Sequence, residues 1–438
     1  MGILQRFLTD IIKSARSQAR NESVEPVRAT DGLSAKVAWP TGSRPGMKVV
    51  ILNWAEGEND PFSCFNATLK RYFQACGKDV EIIQIGDPDS PRRLMELGPP
   101  IEFAFTWQGI GSWATLDNGE SLWDCLKIPL ICVHGDHPSH CPPNHQFDSR
   151  YCIHLYGDAE FSIYSNRHFR RDQGAGIIDL PLLFDEKPLT QRVGDWFVMV
   201  KNVNDPATFE GVWRQELDKA TFDVYMMAME TLKQKISTAS HVDIHHVLDE
   251  LIFQNGVDWL RPESNFPGYH RYHSMIDHQT RCYKSILALT SIRDFPVRVY
   301  GRGWEGVAKT SPPGHVFLPA RDMAASQDMY YTRYGLVDIS PASGLHDRTH
   351  RALSNRSAFL SSANVEDIGI DGEQFGSLFF NFAPGNLAEK CAAVVADPEA
   401  HLGVSQQFAH DNYNKARIRD FVSKLELLAR TAKGFSIV

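Results

Sequence analysis

From residue 47 onward the chain alternates short apolar runs with amphipathic stretches, and it does so twice. "MKVVILNW", "DVEIIQIG", "IEFAFTWQG" and "IPLICVHGD" are separated by the helix-like segments "PFSCFNATLKRYFQAC", "SPRRLMEL" and "GESLWDCL". "YCIHLYG", a helical stretch from about Ala159, and "GIIDLPLLF" complete the first series. Strands that are apolar on both faces and joined through helices predict a parallel sheet covered on both sides. After "DWFVMVKN" comes a mostly helical region, about 206 to 292, whose clearest helices are "FDVYMMAMETLKQKI" and "HVDIHHVLDELIF". Alternation then resumes: "FPVRVYG", "HVFLP", a helix near 322–332, "YGLVDIS", "SAFLSSA", "SLFFNF", the helix "NLAEKCAAVVAD", and a helical tail over about 404–432. No sequence repeat accompanies the repeated architecture. The expectation is two α/β units in tandem, residues 47–190 and 191–438, the second carrying the helical insertion 206–292.

A chain of 438 residues exceeds one ordinary core, which agrees with two domains. A net charge of −8 argues against a nucleic-acid partner for the molecule as a whole but leaves room for a local basic cleft. No apolar run approaches the ~18 residues that cross a membrane, and no apolar leader with a small-residue cleavage site opens the chain. The eight cysteines form no C-x-x-C pair and read as reduced thiols, so a cytoplasmic location is expected. Residues 1–20 place Ile3, Leu4, Phe7, Leu8, Ile11, Ile12 and Ala15 on one stripe of an amphipathic helix, with Arg6, Lys13, Arg16 and Arg20 elsewhere. Such a helix suits the inner face of a membrane, its own protein, or a partner subunit. Residues 21–46 read as a linker.

In open α/β sheets ligands sit beyond the C-terminal ends of strands. Two such ends in the second unit carry unusual residues. In "VYGRGWEG", Gly301 and Gly303 allow close approach to the backbone, while Arg302 and Trp304 offer charge and a stacking face. In "SPASGLHDRTHRAL", Ser340 and Gly344 lie in a turn, and His346, Asp347 and Arg348 open a helix. Free N–H groups and a positive helix end suit an anion. Together the two ends suit a nucleotide, its base at the first and its diphosphate at the second. The same residues also fit plain roles: Trp304 as a core anchor, Arg302 as a solvated charge, His346 and Arg348 as cap and ion pair.

The first unit carries "HGDHPSHCPPNH", residues 134–145. His134, Asp136, His137, His140, Cys141 and His145 invite a metal reading, but the spacing fits no standard zinc pattern and the prolines make a loop. A loop after a buried strand faces the cleft, where a carboxylate or imidazole can take a proton from a hydroxyl. Asp136 is the first candidate base and His137 the second. Trp107, in "FTWQGIGSW", is a candidate sugar-stacking face, with packing as its alternative.

The segments "VRVYGRGWEG", "GLVDISPASGLHDRTHRAL" and "NLAEKCAAVVADPEAHL", in that order, resemble the C-terminal half of GT-B glycosyltransferases, closest to the group-1-like, spore-maturation-type branch. The resemblance covers roughly residues 295 to 425; "FAFTWQGIG" and "IPLICVHGDHP" fit the first half more loosely. It implies two Rossmann-like domains with a cleft between them. It also implies metal-independent transfer of a sugar from a nucleoside-diphosphate sugar to a glycan, lipid-linked saccharide or protein hydroxyl, with no resident cofactor. Carried over, Arg348 and the backbone from Gly344 to Asp347 hold the donor diphosphate, and Gly301, Arg302 and Trp304 lie near its nucleotide. The chain departs from the pattern at Arg351, where many relatives have glutamate, and at Arg356, where a glycine is usual; the glutamate commonly touches the donor sugar or ribose, so its absence leaves the donor's identity open and weakens a retaining mechanism. Three rival readings stand beside this one: a nucleotide-sugar epimerase or hydrolase of the same fold, a non-catalytic nucleotide-sugar-binding protein, and a metal-dependent hydrolase built on 134–145.

Overall fold

The computed structural model describes residues 47–434 apart from 55–60, 86, 88, 98–100, 117, 148, 170–173, 185–191, 205, 239–241, 258–266 and 322–328. The expectations for residues 1–20 and 21–46, and most of the helix near 322–332, lie outside the described residues.

The first sheet has six parallel strands, β1 (Lys48–Asn53), β2 (Asp79–Gln84), β3 (Ile101–Trp107), β4 (Leu130–His134), β5 (Cys152–Tyr156) and β6 (Gly176–Ile177). Their order is β2-β1-β3-β4-β5-β6. The helices between them are α1 (Pro61–Ala75), α2 (Ser90–Glu96), α3 (Leu122–Leu126), α4 (Pro143–Gln146) and α5 (Ala159–His168). Every residue of β3, β4 and β5 is buried, as expected of strands covered on both faces.

The second sheet has five parallel strands, β7 (Phe197–Val200), β8 (Val297–Tyr300), β9 (His315–Leu318), β10 (Gly335–Asp338) and β11 (Phe359–Ser361), in the order β11-β10-β7-β8-β9. "SLFFNF" adds only a bridge between Phe379 and Ser361. Four helices separate β7 from β8: α6 (Pro206–Glu216), α7 (Lys219–Ile236), α8 (Ile244–Gln254) and α9 (Pro267–Ser291). After β8 come α10 (Glu305–Ala308), α11 (Asp347–Ser354), α12 (Gly372–Phe375), α13 (Asn386–Ala396), α14 (Pro398–Asn412) and α15 (Lys415–Gly434). In each sheet the winding reverses beside the first strand, between β1 and β3 and between β7 and β10. Both units are Rossmann-like, and each has a topological switch point where ligands characteristically bind.

Among the contacts that tie the units together, three bear on the site and the shared core. Asp158, just past β5, reaches the loop after β10. The 25-residue α9 packs against the turn Pro138–His140 that follows β4. Finally, α15 returns from the second unit to the first sheet, where Phe421, Val422, Leu425, Ala429 and Ala432 join Phe73, Phe103 and Phe105 in one core. Its Lys433 Nζ donates to the Ile101 carbonyl at 3.0 Å. All eight cysteines are free thiols. Among the described residues no helix is long and apolar enough to cross a membrane.

Candidate active site

At the switch point of the second sheet, Lys201 directly follows β7 and Asp338 ends β10. Asp338 is 1% exposed; its Oδ1 accepts from Arg348 Nε at 2.8 Å and its Oδ2 from Thr349 Oγ1 at 2.9 Å. Burial opposes ionisation of Asp338, and Arg348 and His346 outweigh it, holding the carboxyl below its ordinary value. Arg348 also donates through Nη2 to the Ile339 carbonyl at 3.1 Å. Its guanidinium is therefore turned into the sheet edge, so the expected free contact between this side chain and a diphosphate gives way to a buried ion pair.

Lys201 is the cation that sequence reasoning missed. Burial, then the neighbouring Arg348 and Arg281, pushes its ammonium down to about 7. Arg281 reaches the same place from α9, and its Nη2 lies 2.7 Å from Asp277 Oδ2, one helical turn back. Three cations from β7, α9 and α11 thus converge where the sheet switches direction. The Asp338 carboxylate only partly offsets the two guanidiniums at Lys201, so an incoming anion stabilises this partly desolvated ammonium and favours its charged form.

The loop from Ser340 to His346 is closely held. The Ser340 N–H donates to Ser362 Oγ at 2.9 Å, and Ser340 Oγ bonds the Gly344 carbonyl. Ser343 Oγ and the Gly344 N–H both donate to Asp158 Oδ2, at 3.0 and 2.9 Å. His346 caps α11; its Nδ1 lies against the Arg348 N–H and the Asp347 carboxylate. Burial opposes ionisation of Asp347, yet His346 and Arg351 Nη2, the latter at 2.5 Å, hold it well below the carboxylate range.

The end of β8 takes the structural alternative at three of its four residues. Trp304 is 3% exposed, and its Nε1 donates to the Lys201 carbonyl at 2.7 Å, so its ring offers no stacking face. A Cβ on Gly301 would lie 1.9 Å from the Lys201 carbonyl oxygen, and one on Gly303 1.8 Å from that of Val203. The glycines admit the 201–203 segment rather than a ligand. Arg302 alone keeps an exposed side chain; its N–H donates to Asn202 Oδ1 at 2.9 Å.

On the first-domain wall, Asp136 is exposed beyond β4, and its Oδ2 accepts from Gln108 Nε2, beyond β3, at 2.9 Å. His137, the second candidate base, is 3% exposed, stacked on His273 with centroids 4.4 Å apart. Burial holds it well below the ordinary imidazole value, and its ring is walled off by Tyr164 and Phe161. A group so enclosed does not meet an acceptor hydroxyl. Trp107 is 4% exposed among Phe65 and Phe105, so it too packs in the core. The histidines of 134–145 divide into two groups, His134 with His145, rings 4.1 Å apart, and His137 with His140, rings 6.4 Å apart. His134 Nε2 lies 2.9 Å from His154 Nδ1, His145 Nδ1 lies 2.6 Å from Tyr156 Oη, and His140 Nε2 lies 2.6 Å from Asp277 Oδ2. Among the described residues no three His, Cys, Asp or Glu side chains converge as a metal cage.

Asp277 and Arg281 did carry a sequence signal. His270, His273, Asp277, Arg281 and Lys284 recur at three- and four-residue spacing, which puts them on one face of α9.

No family model matches the chain. No curated protein matches it either. Among solved structures, T4 phage beta-glucosyltransferase is similar over 86% of this chain and 99% of its own, at 8% identity and a TM-score of 0.45. An alpha-glucosyltransferase in complex with UDP-glucose and DNA containing an abasic site is similar over 87% of this chain and 100% of its own, at 7% identity and a TM-score of 0.49. The same coverage, 7% identity and a TM-score of 0.46 describe an alpha-glucosyltransferase in complex with UDP.

Proposed function

We propose that this protein is a glycosyltransferase that moves a sugar from a nucleoside-diphosphate sugar to the hydroxyl of a glycan, a lipid-linked saccharide or a protein, without a metal ion. The observation that carries the reading is the convergence of Lys201, Arg281 and Arg348 at the switch point of the second sheet. In sugar transfer the departing nucleoside diphosphate gains negative charge, and fixed cations and N–H groups stabilise it without reorganising; one such donor is worth roughly 3–4 kcal/mol of barrier. Lys201 and Arg281 meet the diphosphate in this reading, with the Gly344–Asp347 backbone on its other side. Arg348 acts through its charge and through the shape it gives the loop by holding Asp338. Arg302 faces the nucleotide end. Asp136 and Gln108 form the acceptor wall, and residues 1–20 supply a membrane or partner contact.

The test is a thermal-shift and calorimetric panel of UDP, GDP, dTDP and CMP, followed by the matching nucleotide-sugars with and without EDTA. The acceptor panel contains glycans, lipid-linked saccharides and proteins, and also duplex DNA, against which the net charge of −8 argues. Binding with turnover unaffected by EDTA is expected. Donor consumed equally well without acceptor favours the epimerase or hydrolase reading, binding without consumption favours a binding protein, and restoration by one divalent metal ends the metal-free reading.

A further inference from the structure

The geometry points to His140 as the general base that takes the acceptor's proton, with Asp277 as the residue that positions it, an assignment that rests on the sugar-transfer reading above. His140 closes the short turn Pro138–His140 after β4, on the first domain. Asp277 belongs to α9, on the second. His140 Nε2 lies 2.6 Å from Asp277 Oδ2, so the pair spans the two domains. The other candidates on this wall are poorer: Asp136 has only an amide beside it, and His137 is sealed in the interior.

Three properties suit His140. First, its side chain keeps 30% exposure while Asp277 keeps 4%, so the imidazole stands between a buried carboxylate and the solvent-filled side. Second, with Nε2–H donating to Asp277, the lone pair is fixed on Nδ1, which has no protein partner among the described residues; the carboxylate also stabilises the imidazolium formed when a proton arrives. Third, Asp277 is braced from behind by Arg281 Nη2 at 2.7 Å. Burial opposes ionisation of Asp277, and Arg281 and His140 outweigh it, so the carboxylate is charged throughout the working range. Arg281 also faces Lys201. His140 Nε2 and Arg281 Nη2 therefore meet on one oxygen, Asp277 Oδ2, at 2.6 and 2.7 Å, so a single carboxylate links the base to the leaving-group cations while Nδ1 points away from it.

The step balances. The acceptor O–H proton passes to His140 Nδ1, and the oxygen's electron pair forms the bond to the anomeric carbon. The bond from that carbon to the diphosphate oxygen breaks, and its pair leaves on the nucleoside diphosphate. A single displacement of this kind inverts the anomeric configuration. Besides Asp277, the charged and titratable groups around His140 are Arg281, His273 and His278 on α9 and His137 on its own turn.

The experiment uses the full chain and the UDP-, GDP- or dTDP-sugar that it consumes, with water as acceptor if none better is found. His140→Gln, His140→Ala, Asp277→Asn and Asp136→Asn are compared for nucleoside-diphosphate affinity and for diphosphate release across pH. For His140→Gln, affinity within about twofold and a kcat at least ~100-fold lower are expected, with the acid limb of the rate profile gone. Added imidazole restores turnover to His140→Ala, which a merely structural histidine would not allow. Asp277→Asn lowers kcat and moves the acid limb without abolishing it. Unchanged kcat in both His140 variants, loss without imidazole rescue, or loss in Asp136→Asn with retention in His140→Gln each overturns the assignment. If no diphosphate of the panel binds the unmodified chain, the sugar-transfer reading fails first; if one binds and the His140 variants turn over normally, only the base is wrong.

Discussion

Asp158 Oδ2 accepts the Gly344 N–H at 2.9 Å and the Ser343 hydroxyl at 3.0 Å, which puts a first-domain carboxylate on the loop after β10. Its Oδ1 caps α5 through the Glu160 N–H at 2.9 Å. In the proposed function those loop donors face phosphate, so Asp158 competes with the donor for them. Asp158→Asn keeps a good helix cap and removes the charge. UDP affinity is expected to rise about fivefold, the equivalent of roughly 1 kcal/mol. Calorimetry decides it; weaker binding would mean that the loop needs the carboxylate for its shape.

Lys201 gives donor binding a pH dependence. Its ammonium loses its proton around pH 7 in the free protein because of burial and Arg348. A bound diphosphate favours the charged form, so binding takes up a proton above that pH. UDP affinity should fall as pH rises from 7 to 9, and Lys201→Met should bind weakly at every pH. The loss expected from removing one charge-assisted contact is about 1.5–3 kcal/mol. A flat pH profile in the unmodified chain would take Lys201 out of the site.

Arg348→Ala should unfold the loop before it informs on binding. Asp338 is 1% exposed and would lose its partner. Breaking a buried pair on one side costs about 3–5 kcal/mol. A clear drop in Tm is expected, and the double change Arg348→Met with Asp338→Leu should recover much of it. An unaltered Tm for Arg348→Ala would show that water replaces the guanidinium.

Where α5, α8 and α9 meet, the histidines are neutral. Tyr164 Oη lies 2.8 Å from His270 Nδ1, and Tyr269 Oη lies 2.8 Å from His245 Nδ1. Burial, with neighbouring histidines adding to it, pushes His168 down to about 2; burial alone pushes His270 to about 4; burial, despite Asp277, pushes His273 to about 3. In the unfolded chain each titrates near the ordinary value of about 6.5. The unfolded state therefore binds more protons below that pH, and stability, complete above it, drains away as pH falls toward 4. Three such groups give a slope of up to about 4 kcal/mol per pH unit. Thermal unfolding at pH 7, 6 and 5 checks this; a Tm that holds constant over that interval would contradict the neutral cluster.

Both sheets were legible because period and burial are local: "IEFAFTWQG" contains β3 and "IPLICVHGD" contains β4 with little displacement. The loops that open α11 were also found, since a turn, a cap and a helix start are written within a few residues. The site was legible only in part. Trp304 and the two glycines around Arg302 looked like a ligand platform because a glycine that admits a backbone and one that admits a substrate leave the same mark. Lys201 left no mark at all: its meaning depends on Arg281 and Arg348, eighty and nearly a hundred and fifty residues further on. His140 gained significance from Asp277 in the same way, through a contact that only the packing of α9 creates.

The return of α15 to the first sheet sets an order of assembly. Phe73, Phe103 and Phe105 have part of their cover supplied by Phe421 and Leu425. A growing chain can form β1 to β5 early, yet that face stays open until more than two hundred further residues have emerged. The first unit therefore waits, half-covered, for the second to be made, and it is during synthesis rather than after it that this protein is most exposed to aggregation or to a chaperone's grip.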